Sequence, residues 1–324
     1  MSSSYHTPVL LREVREALVP PLVASAAPVF VDATCGGAGH SLAVAEAYRA
    51  ARPDGPPLRA LALDRDPDAL AEARRRGVPP EIELVHAEFS SLAAVLDARG
   101  LASATAVLAD LGVSSHQLDT GARGFSFNAD APLDMRMDPT CGAPASQRVA
   151  GMSASELTRV LRDYGEEPDA GRIAAAIVAA RPTTTRQLAT IVGDAMSAAQ
   201  RRKLGKRIHP ATRTFQALRI LVNDELGELD ALLATAPERL AVGGRLGVIT
   251  FHSLEDRAAK RRFVELSRAE LPPPGLPIAA RDLPRPRFVV PEGYRQGVVP
   301  RPDEVLDNPR SRSCRLRLLE RALP

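Results

Sequence analysis

Four residues at the ends of apolar runs carry the side chains best suited to chemistry. Asp32, Asp64 and Asp110 each end such a run, and Phe89 closely follows another. In an open parallel sheet, ligands bind beyond the carboxyl ends of the strands, where the strand order reverses. Carboxylates there accept hydrogen bonds from ribose or amino groups, and an aromatic ring packs on a base. The pattern indicates a site for a nucleoside-like ligand.

A glycine-rich turn, 33–40, follows the first run and reads ATCGGAGH. It lacks the third glycine of GxGxxG, which lets a helix pack closely behind a pyrophosphate, so it disfavours a dinucleotide. S-adenosylmethionine, a nucleoside that carries an amino acid and a sulfonium, fits better. Asp64 would then bind the ribose, Phe89 would lie near the adenine, and Asp110 near the methionine or the target. Asp64 could instead only cap the next turn, and Phe89 could be a core residue.

The elements that position these residues alternate along the chain. The sequence predicts strands at 29–31, 58–63, 82–85 and 104–109, with a helix at 41–51 after the first. Asp66 and Pro67 predict the N-cap and first turn of another helix. This alternation is typical of a doubly wound, mostly parallel α/β sheet, as in class I (Rossmann-like) methyltransferases.

After 110 the pattern changes to a long loop at 111–140 and then to helices at 153–233, with breaks at Pro182 and Pro210. Residues 215–233 have one apolar face and predict a single long helix.

Strand signals return at 243–251 and at 313–318, the latter predicted as an edge strand, with an extended, proline-rich segment at 271–309. We therefore predict a discontinuous methyltransferase domain, 1–118 and 226–324, around a helical insertion, 119–225, for substrate recognition.

The composition is globular, with 45% hydrophobic and 25% charged residues among 324. The longest apolar stretch, 173–180, is far below the roughly 20 residues that span a bilayer, and the start lacks a signal-peptide core, so we expect a cytoplasmic protein. Cys35, Cys141 and Cys314 form no CxxC pair, so neither a disulfide framework nor a thiolate zinc site is indicated.

Two basic regions could bind RNA. Arg201, Arg202 and Lys203 begin a cationic run that also includes Lys206 and Arg207, and the tail from 281 to 321 is rich in arginine. Such a run could bind along the phosphates of an RNA strand or could simply be a solvated face. The net charge of the chain, only +3, does not by itself indicate a nucleic-acid partner.

The stretch 252–256, HSLED, could be mistaken for a metal cluster. A capping box in which Ser253 is the N-cap and Asp256 lies three residues on explains it better, with His252 facing the pocket. We expect no metal.

Blocks in register along nearly the whole chain resemble the bacterial RsmH (MraW) family. They are 6–11 (HTPVLL), 110–115 (DLGVSS), 123–127 (RGFSF), 133–138 (LDMRMD), 164–167 (YGEE), 209–217 (HPATRTFQA), 251–257 (FHSLEDR) and 308–313 (NPRSRS). The resemblance implies an enzyme that methylates N4 of a cytidine in the decoding centre (P-site region) of 16S ribosomal RNA. It also implies S-adenosylmethionine as the methyl donor and 16S ribosomal RNA, within the small ribosomal subunit, as the partner.

The resemblance also assigns site residues. The cofactor contacts carry over onto Ala38, Gly39, His40, Asp64, Phe89, Asp110 and Gln117. Apart from the resemblance, the two basic regions and the turn at 252–256 supply the candidate substrate contacts: Arg201, Arg202, Lys203, His252, Arg310 and Arg312. The chain departs from the family at Ala38, where glycine is usual, and at His116, where proline is common. An alanine at position 38 should fit only if the backbone there needs no positive φ.

The cytosine amino group is a weak nucleophile, so an enzyme must align it, accept its hydrogen bonds and let its proton leave. Asp110 and the carbonyls of 111–113 are the candidate acceptors. Methylation at cytosine C5 would need a thiolate, whereas Cys35 suits packing. A DNA amino-methyltransferase, a nucleotide-dependent oxidoreductase and a non-catalytic RNA-binding factor remain alternatives, and the oligomeric state stays open.

Overall fold

The computed structural model describes residues 8–205, 209–269 and 285–323. Seven strands form one sheet in the order β3-β2-β1-β4-β5-β7-β6. The strands are β1 Val29–Asp32, β2 Arg59–Asp64, β3 Ile82–His86, β4 Ala104–Asp110, β5 Leu240–Thr250, β6 Phe288–Val289 and β7 Arg315–Arg321. The first five pair in parallel, and β7 is antiparallel to both of its neighbours. The predicted doubly wound, mostly parallel sheet is confirmed.

The chain divides into two compact units, one formed by Met1–Gly112 and Gly227–Pro324 and the other by Val113–Leu226. The helices of the first unit before the division are α1 Leu11–Ala24, α2 Gly39–Ala51, α3 Pro67–Arg75 and α4 Leu92–Asp97. Those of the second unit are α5 Ser115–Asp119, α6 Ala145–Ala150, α7 Ala154–Asp163, α8 Ala170–Ala180, α9 Thr185–Ala195, α10 Ala198–Leu204 and α11 Thr212–Asn223. Then follow α12 Glu225–Thr235, α13 Ser253–Leu266 and α14 Pro302–Asp307.

Each face of the sheet has its own apolar core. Phe30, Ala62 and Leu108 pack with α1 and α2 on one face, and Val31 and Leu63 pack with α4 and α12 on the other. Because side chains alternate across a strand, strands buried on both faces read as continuous apolar runs, which is the pattern that predicted them. Asp66 caps α3 as predicted, with its side chain accepting from the Asp68 amide.

The C-terminal strand is not the predicted edge strand, because β7 lies between β5 and β6. Its alternating pattern was misleading because Arg317 is buried rather than facing solvent, and its guanidinium pairs with Asp256 at 2.7 Å. The first part of the predicted extended segment, 271–284, lies outside the described residues, and the rest includes β6 and the short helix α14.

The second unit starts six residues before the predicted insertion, because α5 belongs to it. The single helix predicted at 215–233 is wrong. The chain breaks between α11 and α12 at Asp224, whose φ is +48°. Asn223 explains the break, because its side chain bonds to the loop at Met135 and Met137 and to the Arg219 carbonyl. Within the described residues, no helix is long and apolar enough to cross a membrane.

Candidate active site

Two carboxylates hold the glycine turn between β1 and α2. Asp32 accepts a 2.6 Å hydrogen bond from the Ser41 hydroxyl. Asp64, at the end of β2, accepts a 2.7 Å hydrogen bond from the Gly36 amide and a 2.8 Å one from the Asp66 amide. These bonds fix the turn against two neighbouring strands.

Asp64 keeps hydrogen-bonding capacity beyond these two contacts, because a carboxylate has about four acceptor positions. Burial raises the pKa of its carboxyl to about 6, although the amides of Asp66 and Gly36 oppose the shift. Above that pH the side chain is a carboxylate with further lone pairs to offer. This chemistry suits a ribose diol, and the ribose role stays a prediction.

Ala38 tests the expectation that alanine fits the turn only without positive φ. Its φ is +63° and its ψ is +21°, in the left-handed region, so that expectation is wrong. The methyl group is fully buried in the core cluster that includes Leu10 and Val44. We attribute its tolerance to this packing, which partly offsets a backbone strain of roughly 1 kcal/mol.

Asp110 ends β4 next to β1, where the strand order reverses. Its backbone amide donates a 2.6 Å hydrogen bond to the Thr34 hydroxyl, which ties the end of β4 to the glycine turn. Its Oδ2 lies 3.5 Å from His40 Nε2. The sequence analysis missed the role of Thr34. The signal that could have revealed it is a hydroxyl side chain two residues after Asp32, the acid that ends β1.

The Asp110 and His40 side chains are short of hydrogen-bond partners. His40 is 5% exposed, yet neither ring nitrogen has a hydrogen-bond partner in the described structure, and the same holds for Asp110 Oδ1. Buried polar atoms in native proteins are almost always paired, so such atoms indicate a ligand or ordered water. They mark the reversal point of the sheet as the candidate site.

Comparison with known proteins places the chain in a family. The sequence profile described as "MraW methylase family" matches residues 3–322. The chain belongs to the MraW methylase family. Its relatives include proteins named "Ribosomal RNA small subunit methyltransferase H" from Aromatoleum aromaticum, 49% identical over 98% of this chain and 96% of that protein, and from Frankia alni, 46% identical with the same coverage. A solved rRNA methylase structure from Streptococcus thermophilus is 12% identical over 97% of this chain and 94% of its own, with a TM-score of 0.37.

Two further residues that the MraW resemblance assigned to the cofactor lie in different units. Phe89 opens a short 3-10 turn after β3 and is half-buried against the core cluster that includes Leu92. Gln117 is buried in the second unit. Its side-chain oxygen accepts a hydrogen bond from the Ser114 backbone amide, and its backbone amide donates one to the Ser114 hydroxyl. Their contact with a cofactor stays a prediction.

In this MraW family member, the surroundings of Cys35 and Cys314 disfavour thiolate chemistry at those two residues. Cys35 is buried, and desolvation strongly raises the pKa of its thiol, with Asp32 and Asp64 adding to the shift. Burial also raises the pKa of Cys314 to about 12. Both thiols are therefore neutral near pH 7, which agrees with the packing role expected for Cys35.

The turn after β5 has its capping box one residue earlier than predicted. His252 rather than Ser253 is the N-cap of α13, and Glu255 rather than Asp256 is its partner. Glu255 accepts a 2.7 Å hydrogen bond from the Phe251 amide and lies 3.1 Å from His252 Nε2. The prediction missed this cap because histidine is a rare N-cap, whereas Ser253 matched the usual pattern.

Three aromatic residues belong to the core of the second unit. Phe125 is buried, and Phe127 and Tyr164 pack against the same cluster. The Phe127 ring stacks on His209 at 4.2 Å and meets Phe215 edge-on at 5.2 Å. The structure therefore gives all three a packing role.

The predicted substrate-binding cations are exposed. On α10, Arg201 donates to the Met196 carbonyl, whereas Arg202 and Lys203 form no ion pair with any described residue. Lys206 and Arg207 lie outside the described residues. In the first unit, Arg310 and Arg312 extend from a 3-10 turn, Pro309–Ser313.

Proposed function

We propose that this chain transfers a methyl group from S-adenosylmethionine to the N4 amino group of a cytidine in the decoding centre of 16S ribosomal RNA. Relatives that match 98% of the chain carry the name of a small-subunit ribosomal RNA methyltransferase. The base and the atom follow from the resemblance to the RsmH (MraW) family. The observation that carries the proposal is the set of buried polar atoms on Asp110 and His40 that have no hydrogen-bond partner, at the glycine turn.

The described residues fit the cofactor. The turn presents the backbone of Ala38, Gly39 and His40 at the start of α2, and Asp64 offers a carboxylate for ribose hydroxyls. The partial positive charge at a helix N-terminus favours the carboxylate of an amino acid. When bound, S-adenosylmethionine would supply an electrophilic methyl group.

Asp110 would act on the target amino group. The nitrogen lone pair of a cytosine amino group is delocalised into the ring, so its reactivity rises when a carboxylate accepts a hydrogen bond from its N–H. As the new N–C bond forms and the S–C bond breaks, a proton leaves the nitrogen, and Asp110 would accept it. His40, 3.5 Å away, would help to hold the carboxylate in place.

The RNA would be held by exposed cations. Arg202 and Lys203 on α10 have no competing acid among the described residues, so both can contact phosphates. We assign substrate recognition to the second unit, and secondary contacts to Arg201, His252, Arg310 and Arg312. A cytidine in folded RNA has to be splayed or flipped out before its amino group reaches a buried site.

The test is methyl transfer to small ribosomal subunits purified from cells that lack this protein. Labelled S-adenosylmethionine is added, and the RNA is digested to nucleosides. We expect the label in N4-methylcytidine at one decoding-centre position. Label in another nucleoside would contradict the proposed atom. Transfer to DNA in a parallel reaction, with none to the subunits, would favour an amino-methyltransferase of another nucleic acid. Cofactor and RNA binding without transfer would favour a non-catalytic RNA-binding factor.

A further inference from the structure

An N-terminal arm, residues 8–10, lies against the glycine turn. If Gly39 carried a Cβ atom, that atom would lie 2.4 Å from Pro8 Cγ and 3.3 Å from Pro8 Cδ. The proline ring therefore occupies the space beside the first residue of α2. Any movement of Pro8 changes what the Gly39 backbone packs against.

The arm has an unusual backbone conformation at Leu10. This residue has a φ of +50° and a ψ of +32°, and it is fully buried just before α1. For a leucine the left-handed region is strained, and such strain persists only where the surroundings enforce it. Something outside the arm has to hold Leu10 in this state.

The outside contact comes from the far end of the chain. The Leu10 amide donates a 2.7 Å hydrogen bond to Glu304 Oε1, on α14. Burial raises the pKa of Glu304, with Glu13 and Asp303 adding to the shift and with the Leu10 amide and His40 opposing it.

The segment that carries Glu304 is itself anchored at two further points. Val298 and Leu316 exchange two backbone hydrogen bonds of 2.8 Å, which tie the segment to β7. Arg301 donates to the buried Glu13 of α1 at 3.2 Å. Glu304 is thus a fixed point against which the arm is held.

From this geometry we infer that Glu304 is a positioning residue for the cofactor site. By accepting the Leu10 amide, it fixes the arm so that Pro8 supports the Gly39 backbone at the start of α2. The C-terminal segment would therefore set the affinity for S-adenosylmethionine without touching it. The inference rests on the proposal that the glycine turn binds this cofactor.

The experiment measures the affinity of the full-length protein for S-adenosylhomocysteine by calorimetry. Glu304→Ala removes the acceptor and should weaken binding about tenfold, while kcat at saturating S-adenosylmethionine stays within about twofold. Glu304→Gln keeps an oxygen that accepts the Leu10 amide and should bind within about threefold of the wild type. Asp303→Ala, which removes an exposed carboxylate from the same helix, is the matched control and should bind as the wild type does.

A double-mutant cycle tests whether the effect passes through Pro8. Pro8→Ala should also weaken binding, and the double variant with Glu304→Ala should bind little more weakly than the weaker single variant, because both act on one path. Additive effects would overturn the inference, as would wild-type affinity in a folded Glu304→Ala protein. If that variant does not fold, Glu304→Asp, whose side chain is one methylene shorter and withdraws the acceptor from the Leu10 amide, replaces it. Faster hydrogen exchange at the Leu10 amide together with weaker binding in Glu304→Asp than in Asp303→Ala supports the inference, and equal behaviour overturns it. Failure of the wild-type protein to bind would instead contradict the proposed function.

Discussion

Buried polar side chains in the two units differ in how many of their polar atoms lack a hydrogen-bond partner. In the second unit, Asn223 accepts from the Met137 amide and donates to the carbonyls of Met135 and Arg219, so both polar atoms of its side chain have backbone partners. In the first unit, His40 and Asp110 have three buried polar atoms without a hydrogen-bond partner. A paired group stabilises the fold, whereas an unpaired one costs stability, and a cluster of such atoms at the glycine turn favours a ligand there. This difference distinguishes polar side chains that stabilise the fold from polar side chains that form a binding site.

The strongest test of this comparison is Asp110→Asn. It removes the proposed proton acceptor and keeps the shape, so methyl transfer should fall about 100- to 10,000-fold while the melting temperature changes little. Radiolabel transfer to small subunits measures the first, and thermal unfolding the second. Asp54→Asn, at an exposed loop position, is the control. Near-wild-type turnover would remove Asp110 from the chemistry.

Asn223→Ala should show the opposite behaviour. This variant cannot form the three hydrogen bonds to the backbone, so the free energy of unfolding should fall by about 2–4 kcal/mol, while the affinity for S-adenosylhomocysteine stays within about twofold. Urea unfolding and calorimetry measure the two quantities. Asn128→Ala, at an exposed site in the same unit, should change neither. Weaker binding with unchanged stability would contradict the structural role.

Lowering the pH should weaken cofactor binding through Asp64. Its pKa of about 6 means that protonation removes an acceptor as the pH falls below that value, so affinity should drop up to about tenfold per pH unit there. Calorimetry between pH 7.5 and 5 gives the profile, with circular dichroism to confirm folding. Asp64→Asn should bind weakly with no slope in this range. A flat wild-type profile would argue against the ribose role.

On the surface of the second unit, replacing Arg202 and Lys203 with alanine tests whether exposed, unpaired cations serve RNA. Log affinity decreases linearly with log salt concentration. For each phosphate that the protein no longer binds, the magnitude of this slope should decrease by about 0.7–0.9, and binding at physiological salt should be modestly weaker. Filter binding at several salt concentrations measures the slope. Arg74→Ala removes an exposed charge from α3 and serves as the control. An unchanged slope would make α10 a solvated face.

The smallest effect is expected at Ala38. Glycine relieves the strain of a φ of +63° but makes the unfolded chain more flexible, so Ala38→Gly should raise the free energy of unfolding by at most about 1 kcal/mol. Ala43→Gly, inside α2, should lower it by about 1 kcal/mol. Urea unfolding compares the two. A lower stability in Ala38→Gly would mean that methyl packing outweighs the strain.

The parts that sequence predicts well depend on neighbours along the chain. The strands that end at Asp32, Asp64 and Asp110, and the Asp66 cap of α3, follow from local apolar runs and local turn chemistry. Because carboxyl ends of parallel strands meet at one edge, the sheet alone brought these acids together.

The parts that failed depend on contacts distant in sequence. Asn223 ends a helix through bonds to a loop more than 80 residues earlier, and the ion pair of Arg317 with Asp256 makes an interior strand look like an edge. Leu10 and Glu304 are 294 residues apart. No periodicity contains this information, since only the folded chain makes these partners adjacent.

The register of β4 and β5 has a consequence for the time course of folding. Asp110 pairs with Ile249, so the central strands join segments separated by roughly 140 residues. Closing so long a flexible loop carries an entropic cost of about 4 kcal/mol, which slows the step. Since Val113–Leu226 form a core of their own, their earlier folding would shorten that loop. Core substitutions such as Ile173→Val would then delay refolding of the sheet while leaving its site unchanged once formed.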